Sequence, residues 1–197
     1  PRKVLEVLRE PLESGEINIA RVMGRTTFPA KFLLVAAMNP CPCGYLGSER
    51  CRCTPDMIRR YKDKISGPLL DRIDLQVQVQ PIPGKDLVDQ KKQGEPSADV
   101  LVRVLKARNI QIERQGKVNG GLSADDVRKF CPLGEAEQVF IASAIERLQL
   151  SARAYHRILK VARTIADLRM DERITNQHLA ETLGYRFSEV KSGVGFQ

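Results

Sequence analysis

Long hydrophobic runs are missing from this chain of 197 residues. A membrane-spanning helix needs about 18 consecutive apolar residues, and no segment of the sequence has that length. The first residues, Pro1 to Lys3, also lack the apolar core and the cleavage site of a secretion signal. The sequence therefore predicts a cytoplasmic protein without a membrane partner.

Histidines are also scarce, because the chain has only His156 and His178. They fall on separate predicted helices, so the sequence supports neither a paired-histidine metal site nor a catalytic triad. Apolar residues make up 42% of the chain. That share is enough to build a core, and it excludes disorder throughout.

Acidic residues are outnumbered by basic ones, 24 to 32, and the formal net charge is +8. This excess favours a polyanionic partner such as nucleic acid, but a solvated surface can carry the same charge. Residues 1–81 and 97–197 each hold about half of the excess. No single basic tail therefore locates a binding face.

Residues 1–81 combine helical and strand patterns, which predicts the α/β fold class for this first domain. Apolar residues at helical spacing predict a helix over residues 4–12, and Pro11 is expected to close or kink it. Alternating apolar and polar residues, followed by a glycine and a return segment, predict a β-hairpin over residues 17–28.

The strongest strand signal is the continuous apolar run at residues 32–38. Such a run is typical of a strand whose two faces are both covered in a parallel sheet. Thr54 then caps a short basic helix. A second strand at residues 75–79 follows, and Pro81 marks the end of the domain.

The rest of the chain is predicted to be a linker, a helical domain and a tail. Residues 82–96 are rich in Gly, Pro, Lys, Gln and Asp, which predicts a mobile linker. Helical spacing over residues 97–184 predicts an all-α domain of five helices, and Ser123 with Asp126 forms a capping-box start. Residues 185–197 have no packing signal, so we predict a disordered tail.

Three polar residues are candidates for chemistry. Asn39 directly follows the apolar run, where ligands bind in open α/β sheets, although a turn-forming Asn-Pro is the alternative. Arg72 lies between Asp71 and Asp74, so it either forms a structural salt bridge or stabilises phosphate charge. Arg153 falls in the first turn of an apolar helix, against the usual preference for acids there, or is simply solvated.

Four of the five cysteines crowd into one short segment as two Cys-x-Cys pairs, namely Cys41, Cys43, Cys51 and Cys53. This layout does not resemble a secreted disulfide scaffold. Four thiolates could close a tetrahedral zinc site, although the spacing within each pair is tighter than usual. A structural zinc and free thiols both remain open. Cys131 has the surroundings of a buried small hydrophobe.

The order of these features resembles the second half of an AAA+ module. The most specific stretches are Arg-Glu-Pro-Leu-Glu-Ser-Gly at 9–15, Val-Ala-Ala-Met-Asn-Pro-Cys-Pro-Cys-Gly at 35–44, Gly-Pro-Leu-Leu-Asp-Arg-Ile-Asp at 67–74 and Ser-Ala-Arg-Ala-Tyr at 151–155. They are similar to the ComM/YifB branch of the magnesium-chelatase-like AAA+ ATPases rather than to a true magnesium chelatase subunit. The resemblance covers nearly the whole chain.

The resemblance implies a role for each candidate residue. Asn39 would be sensor 1, which positions the attacking water, and Arg72 would be an arginine finger reaching the nucleotide of a neighbouring subunit. Arg153 would be sensor 2 on a helical lid. The hairpin is similar to the pore-lining insertion before sensor 1, so Arg21 and Arg25 would contact DNA phosphates.

Cofactors and partners follow from the same resemblance: ATP and magnesium, a homo-oligomeric ring, most simply a hexamer, and DNA as the substrate of branch migration or helicase activity. However, no GxxxxGK[ST] motif occurs, and no apolar strand ending in Asp-Glu precedes Pro1. We therefore expect this chain to be part of a longer protein and inactive alone. A strand between the segments 33–38 and 75–79 is also expected to be missing.

Two other functions remain open on the sequence alone. The chain could be a zinc-bearing nucleic-acid-binding module without catalysis, because its charge and cysteines fit that class. It could also belong to a magnesium-chelatase-type ATPase that inserts metal into a substrate. The order of the motifs favours the DNA-remodelling ATPase over both.

Overall fold

The computed structural model describes residues 2–22, 24–84, 88 and 94–186. The chain divides into two compact units, Pro1–Ile73 and Asp74–Gln197. The predicted linker lies partly outside the described residues, and the predicted tail lies outside them from residue 187 onwards. No helix in the described part of the chain is long and apolar enough to cross a membrane.

The first unit contains short helices and a β-hairpin. Their bounds are α1 Arg2–Val7, α2 Arg9–Ser14, β1 Glu16–Arg21, β2 Gly24–Pro29, α3 Pro55–Lys62 and α4 Gly67–Leu70. The single helix predicted over residues 4–12 is divided at Leu8, because Pro11 has no N–H to donate to Val7 and its ring crowds that carbonyl. Gly15 ends α2 with a left-handed φ of 70° and donates its N–H to the Pro11 carbonyl at 3.0 Å.

The predicted hairpin is confirmed. Strands β1 and β2 pair antiparallel, with Ile17 opposite Phe28. Every residue of both strands with a described side chain is exposed, so neither face of the hairpin is buried in a core. Its base is held by the main chain, since the Ala30 N–H donates to the Gly15 carbonyl at 2.7 Å.

The parallel sheet predicted from two apolar segments is not formed among the described residues. Residues 32–38 and 75–79 have no regular secondary structure, and the side chains of Leu33 and Val79 are 88% and 86% exposed. A strand needs a neighbour to pair its N–H and C=O groups, and the described residues form only the two-stranded sheet of the hairpin. The apolar pattern identified segments that can be strands, but no pairing partner for them is present here.

The two later helices of the first unit begin as local sequence signals dictate. The Thr54 side chain accepts from the Met57 N–H at 3.3 Å, and Pro55 occupies the first turn, as the sequence predicts. Ser66 caps α4 in the same way. The Ser66 cap fixes where the short helix directly before Arg72 begins.

The second unit is helical. Its elements are α5 Ser97–Gln115, a 3-10 turn at Asn119–Gly121, α6 Ala124–Phe130, α7 Glu135–Leu148, α8 Ala152–Arg169 and α9 Asn176–Arg186. Both hydrogen bonds of the predicted Ser123–Asp126 capping box are present. The last helix was predicted to end at Gly184 but continues to Arg186. The buried core comprises Leu122, Val127, Cys131, Ile141, Ile158, Leu159, Ala162, Ile174 and Leu179.

A buried charge cluster ties α5 and the 3-10 turn to α8. Asp167 is 1% exposed, and both of its oxygens accept hydrogen bonds from Arg114, at 2.6 and 2.9 Å. Arg163 and Asn119 donate to the same carboxylate at 3.1 and 2.8 Å. Burial acts to raise the pKa of Asp167, but the bonds from Arg114 and Asn119 outweigh it and hold that pKa below its usual value.

Candidate metal centre and nucleotide-sensing residues

The four clustered cysteines meet in the loop between β2 and α3. The Sγ atom of Cys41 lies 3.4 Å from that of Cys43 and 3.9 Å from that of Cys51, and Cys43 and Cys51 are 3.7 Å apart. With Cys53 included, all four sulfurs lie within 4.8 Å of one another. The cysteines are free thiols, and Cys41 is completely buried.

Tight turns in the main chain produce this arrangement. Gly44 and Gly47 have φ values of 82° and 86°, which residues with a side chain rarely adopt. The Gly44 N–H donates to the Cys41 carbonyl, and the Cys51 N–H donates to the Ser48 carbonyl, each at 3.0 Å. The first turn folds one Cys-x-Cys pair back on itself, and the second brings the other pair against it.

The sulfur positions fit a tetrahedral metal site. Zinc–sulfur bonds of about 2.3 Å place the sulfurs of a tetrahedron about 3.8 Å apart, which is close to the observed separations. Backbone N–H groups of Tyr45 and Arg52 donate to Cys43 and lower the pKa of its thiol to about 6. Burial instead raises the pKa of Cys53 to about 12. One thiolate is therefore favoured before a metal ion adds its own charge.

Asn39 lies next to the cysteine loop. Its side-chain amide faces the Cα of Gly44, where a methyl group would come within 3.8 Å of the Asn39 nitrogen. Asn39 is exposed and directly precedes Pro40 and Cys41. The position of this amide is therefore coupled to the shape of the loop that the cysteines define.

Arg72 is held against two helices of the first unit. Its Nε donates to the carbonyl of Arg9 at 3.0 Å, and its Nη1 donates to the carbonyl of Pro68 at 2.6 Å. Its Nη2 forms an ion pair with Glu13, and the Arg72 side chain is 12% exposed. The Arg72 guanidinium thus links α2 to α4. Its ion-pair partner, Glu13, lies far from Arg72 along the chain.

The sequence pattern assigned no role to Glu13 and offered Asp71 and Asp74 as the carboxylates beside Arg72. Asp74 instead pairs with Arg157 of α8, at 2.5 Å. No spacing rule relates Glu13 to Arg72, because the contact depends on how α2 packs. The one sequence feature that could have drawn attention to Glu13 was its place in the specific Arg-Glu-Pro-Leu-Glu stretch at 9–13.

The three remaining candidates are exposed arginines. Arg21 and Arg25 stand near the tip of the hairpin, where Arg21 pairs with Gly24 and Ala20 with Arg25. Arg153 lies in the first turn of α8, which the Ser151 side chain caps by accepting from the Ala154 N–H at 3.2 Å. Asn39 and Arg72 belong to the first unit, and Arg153 belongs to the second.

Two family descriptions match this chain. Magnesium chelatase, subunit ChlI, matches residues 1–87, and the C-terminal part of the same subunit matches residues 94–186. Competence protein ComM of Haemophilus influenzae is 50% identical over 185 residues, which cover 94% of this chain and 36% of ComM. YifB of Escherichia coli is 44% identical over 186 residues, which cover 94% of this chain and 37% of YifB.

A more distant relative extends the comparison. Mb2921c of Mycobacterium bovis is 40% identical over 172 residues, which cover 83% of this chain and 33% of the relative. The chain thus spans about a third of the length of the curated relatives that it matches.

Proposed function

Because this chain belongs to the magnesium chelatase ChlI-like family that includes ComM and YifB, we propose that it supplies the sensor, arginine-finger and lid residues of a ring-forming AAA+ ATPase that remodels DNA. The phosphate-binding loop and the magnesium carboxylates of such an enzyme are not encoded in these 197 residues. The proposed activity is therefore that of a longer protein, and this chain alone should not hydrolyse ATP.

The geometry of Arg72 carries the proposal. Two backbone carbonyls accept from its guanidinium, and its Nη2 also forms an ion pair with the carboxylate of Glu13. A phosphate oxygen accepts from a guanidinium as a carboxylate oxygen does, so a nucleotide could replace Glu13 as the acceptor for Nη2. Once released from Glu13, this guanidinium would be able to serve as an arginine finger, which stabilises the charge that develops on a transferring phosphate.

Asn39 and Arg153 complete the set of nucleotide-facing groups. ATP with magnesium would supply the phosphates and the attack site on which these groups act. The exposed amide of Asn39 can orient a water molecule, because it offers both a donor and an acceptor. Arg153 is a permanent cation at the start of α8, so it could bind phosphate oxygens of a nucleotide.

A finger that acts on a neighbour's nucleotide requires head-to-tail contacts between subunits, and such contacts can close into a ring. Each subunit then receives a finger from one side and donates its own to the other. We propose a homo-oligomeric ring of this kind, with six subunits as the simplest expectation for an AAA+ protein. The residue that tests the ring is Arg72, because it is the one assigned to act across the subunit boundary.

DNA is the proposed substrate. The net charge is +8, and Arg21 and Arg25 are exposed near the tip of a hairpin that has no buried face. Such a hairpin can present cations to the phosphates of a strand passing through a ring. The H. influenzae relative is named a competence protein, which directs the proposal towards DNA rather than towards metal insertion.

We propose that Cys41, Cys43, Cys51 and Cys53 bind a zinc ion. The support is the clustering of four sulfurs within 4.8 Å of one another, in a loop that the turns at Gly44 and Ser48 close. We assign the metal a structural role, because a site with four thiolates leaves no open position for a substrate. Free thiols and a DNA partner both agree with a cytoplasmic protein.

The function is tested by ATP turnover of the full-length protein, with and without DNA. The Arg72→Ala variant should lose about a thousandfold in kcat while its affinity for ATP stays nearly unchanged, because a finger acts mainly on transition-state charge.

The double variant Arg21→Ala, Arg25→Ala should keep turnover without DNA but bind DNA more weakly. The slope of the logarithm of its DNA-binding constant against the logarithm of the salt concentration should decrease in magnitude by about one for each lost phosphate contact.

Arg108→Ala is the matched control, because Arg108 is an exposed arginine on α5 of the other unit. It should behave like the wild type in every assay. If Arg72→Ala kept normal turnover, or lost ATP binding as strongly as turnover, the finger assignment would be wrong. Unchanged DNA binding by the hairpin double variant would reject the hairpin as the DNA contact.

A further inference from the structure

Glu13 and the bonds around it connect the proposed finger to the hairpin. Arg72 contacts α2 twice, through the Arg9 carbonyl and through the Glu13 carboxylate. The Arg72 side chain is 12% exposed and that of Glu13 is 35% exposed, so the pair is partly shielded from water while one side remains open. The finger therefore cannot leave this position without releasing its hold on α2.

Helix α2 is in turn bonded directly to the hairpin. Glu10 accepts from the Asn18 side chain at 2.9 Å, and Asn18 accepts from the Thr27 hydroxyl at 2.7 Å, so one chain of hydrogen bonds runs from α2 across both strands. The Ser14 hydroxyl joins the end of α2 to the start of β1 by donating to the Glu10 carbonyl and accepting from the Glu16 N–H, at 3.0 and 3.1 Å. A shift of α2 must therefore move the base of the hairpin.

We propose that Glu13 is a positioning residue that holds Arg72 away from the neighbouring nucleotide and couples the release of Arg72 to movement of the hairpin. This inference rests on the proposed function, because it takes Arg72 as the finger and the hairpin as the DNA contact. Phosphate oxygens and the Glu13 carboxylate compete for the same Nη2 group, so Arg72 binds one or the other. When DNA displaces the hairpin, α2 shifts, Glu13 withdraws and the finger becomes available.

The competition gives a gain-of-function prediction. Glu13→Gln keeps the size of the side chain and removes the charge that retains Arg72. In the full-length protein without DNA, this variant should hydrolyse ATP faster than the wild type, by at least about fivefold, the lower end of typical coupling between sites. DNA should then add little further stimulation. Glu13→Asp keeps the charge but shortens its reach, so its turnover without DNA and its response to DNA should lie between those of the wild type and those of Glu13→Gln.

A purely structural role for Glu13 would give the opposite result, because loss of packing lowers turnover. Glu113→Gln, the same change at an exposed position of α5, is the control and should match the wild type. ATP binding and the unfolding temperature of Glu13→Gln verify that the variant is folded. If Glu13→Gln is not folded, the ATP turnover of Glu13→Asp without DNA is the test. It should exceed that of the wild type, because a shorter carboxylate holds Arg72 less tightly, and an unchanged or lower turnover would overturn the inference.

The outcomes separate this inference from the function on which it rests. An Arg72→Ala protein with normal turnover would overturn both. An inactive Arg72→Ala protein together with a Glu13→Gln protein that matches Glu113→Gln, or turns over more slowly, would overturn the inference alone. Raised turnover without DNA and a reduced response to DNA in Glu13→Gln would establish the coupling.

Discussion

Asp167 is the residue whose loss should cost the helical unit most. Its carboxylate accepts two hydrogen bonds from Arg114, one from Arg163 and one from Asn119. The side chains of Arg163 and Asp167 are 3% and 1% exposed, so the arginine has little access to water that could replace the carboxylate. Removing one partner of a buried ion pair leaves the other charge uncompensated.

Asp167→Asn should therefore lower the free energy of unfolding of this chain by about 3 kcal/mol or more, as measured by chemical denaturation followed through helical circular dichroism. The pKa of Asp167 lies below its usual value, so its contribution is complete above the ordinary aspartate pKa of about 3.9 and is lost as the pH falls below it. The free energies of unfolding of the wild type and of Asp167→Asn should therefore converge at acidic pH.

Glu181→Gln provides the comparison, because Glu181 pairs with Arg169 at 2.6 Å on the surface of the same unit. An exposed pair of this kind contributes less than about 1 kcal/mol. If the two variants were equally stable at neutral pH, the buried cluster would not be the main electrostatic support of the helical unit.

Residue roles were predictable from sequence only where the signal was local. The caps at Thr54 and Ser123 and the burial of Cys131 follow from neighbouring residues, and the structure confirms them. The partner of Arg72 did not follow, because Glu13 reaches it through the packing of α2 against α4. The partners of Asp167 come together through tertiary packing in the same way.

The loop from Cys41 to Cys53 is the element whose shape most depends on a ligand. It contains no helix or strand, and a few turn hydrogen bonds hold it in the absence of metal. Four thiolates closing on one ion would cross-link its two ends. Asn39 lies two residues before this loop and its amide is close to Gly44, so metal occupancy should affect the proposed sensor.

Elemental analysis of protein purified without chelator should find one zinc per chain. The four clustered thiols should react slowly with a thiol reagent until a strong chelator removes the metal, and hydrogen exchange of the loop should then accelerate. Cys43→Ser and Cys51→Ser should each reduce the bound zinc. Cys131→Ala is the control, because Cys131 is buried in the helical unit outside the cluster, and it should keep the zinc.

Absence of metal, with all four clustered thiols reacting at once, would reject the zinc assignment. That result would leave the ATPase proposal in place, because the proposal depends on Arg72 rather than on the cysteines. Disulfides between the pairs in purified protein would indicate oxidation during handling, since the sulfurs are free thiols here.

Secondary-structure elements were predictable from sequence where their backbone hydrogen bonds form between residues that are close along the chain. Helices and the hairpin pair within short segments, so their patterns were sufficient, apart from the division at Leu8 and the extension of α9 to Arg186. The segments at 32–38 and 75–79 carry an equally clear apolar pattern but form no strand in the described structure. A strand in a parallel sheet depends on distant partners, and no local pattern reports whether those partners are present.

The proposed ATPase activity depends on how subunits cooperate. Asn39 is proposed to act on the nucleotide of its own subunit, whereas Arg72 is proposed to act on that of a neighbour. The two residues therefore belong to different active sites although they lie in the same unit of the chain. This assignment distinguishes a ring ATPase from a protein in which each chain works alone.

The most direct test is to mix two inactive full-length variants, Asn39→Ala and Arg72→Ala, and to measure ATP turnover after the subunits have exchanged. In mixed rings, some sites combine an intact Asn39 from an Arg72→Ala subunit with an intact Arg72 from its Asn39→Ala neighbour. The account predicts that turnover, absent from either variant alone, returns on mixing. Each variant mixed with more of itself should stay inactive. If subunit exchange is verified and turnover still does not return, Arg72 does not act across the subunit boundary, and the central claim is wrong.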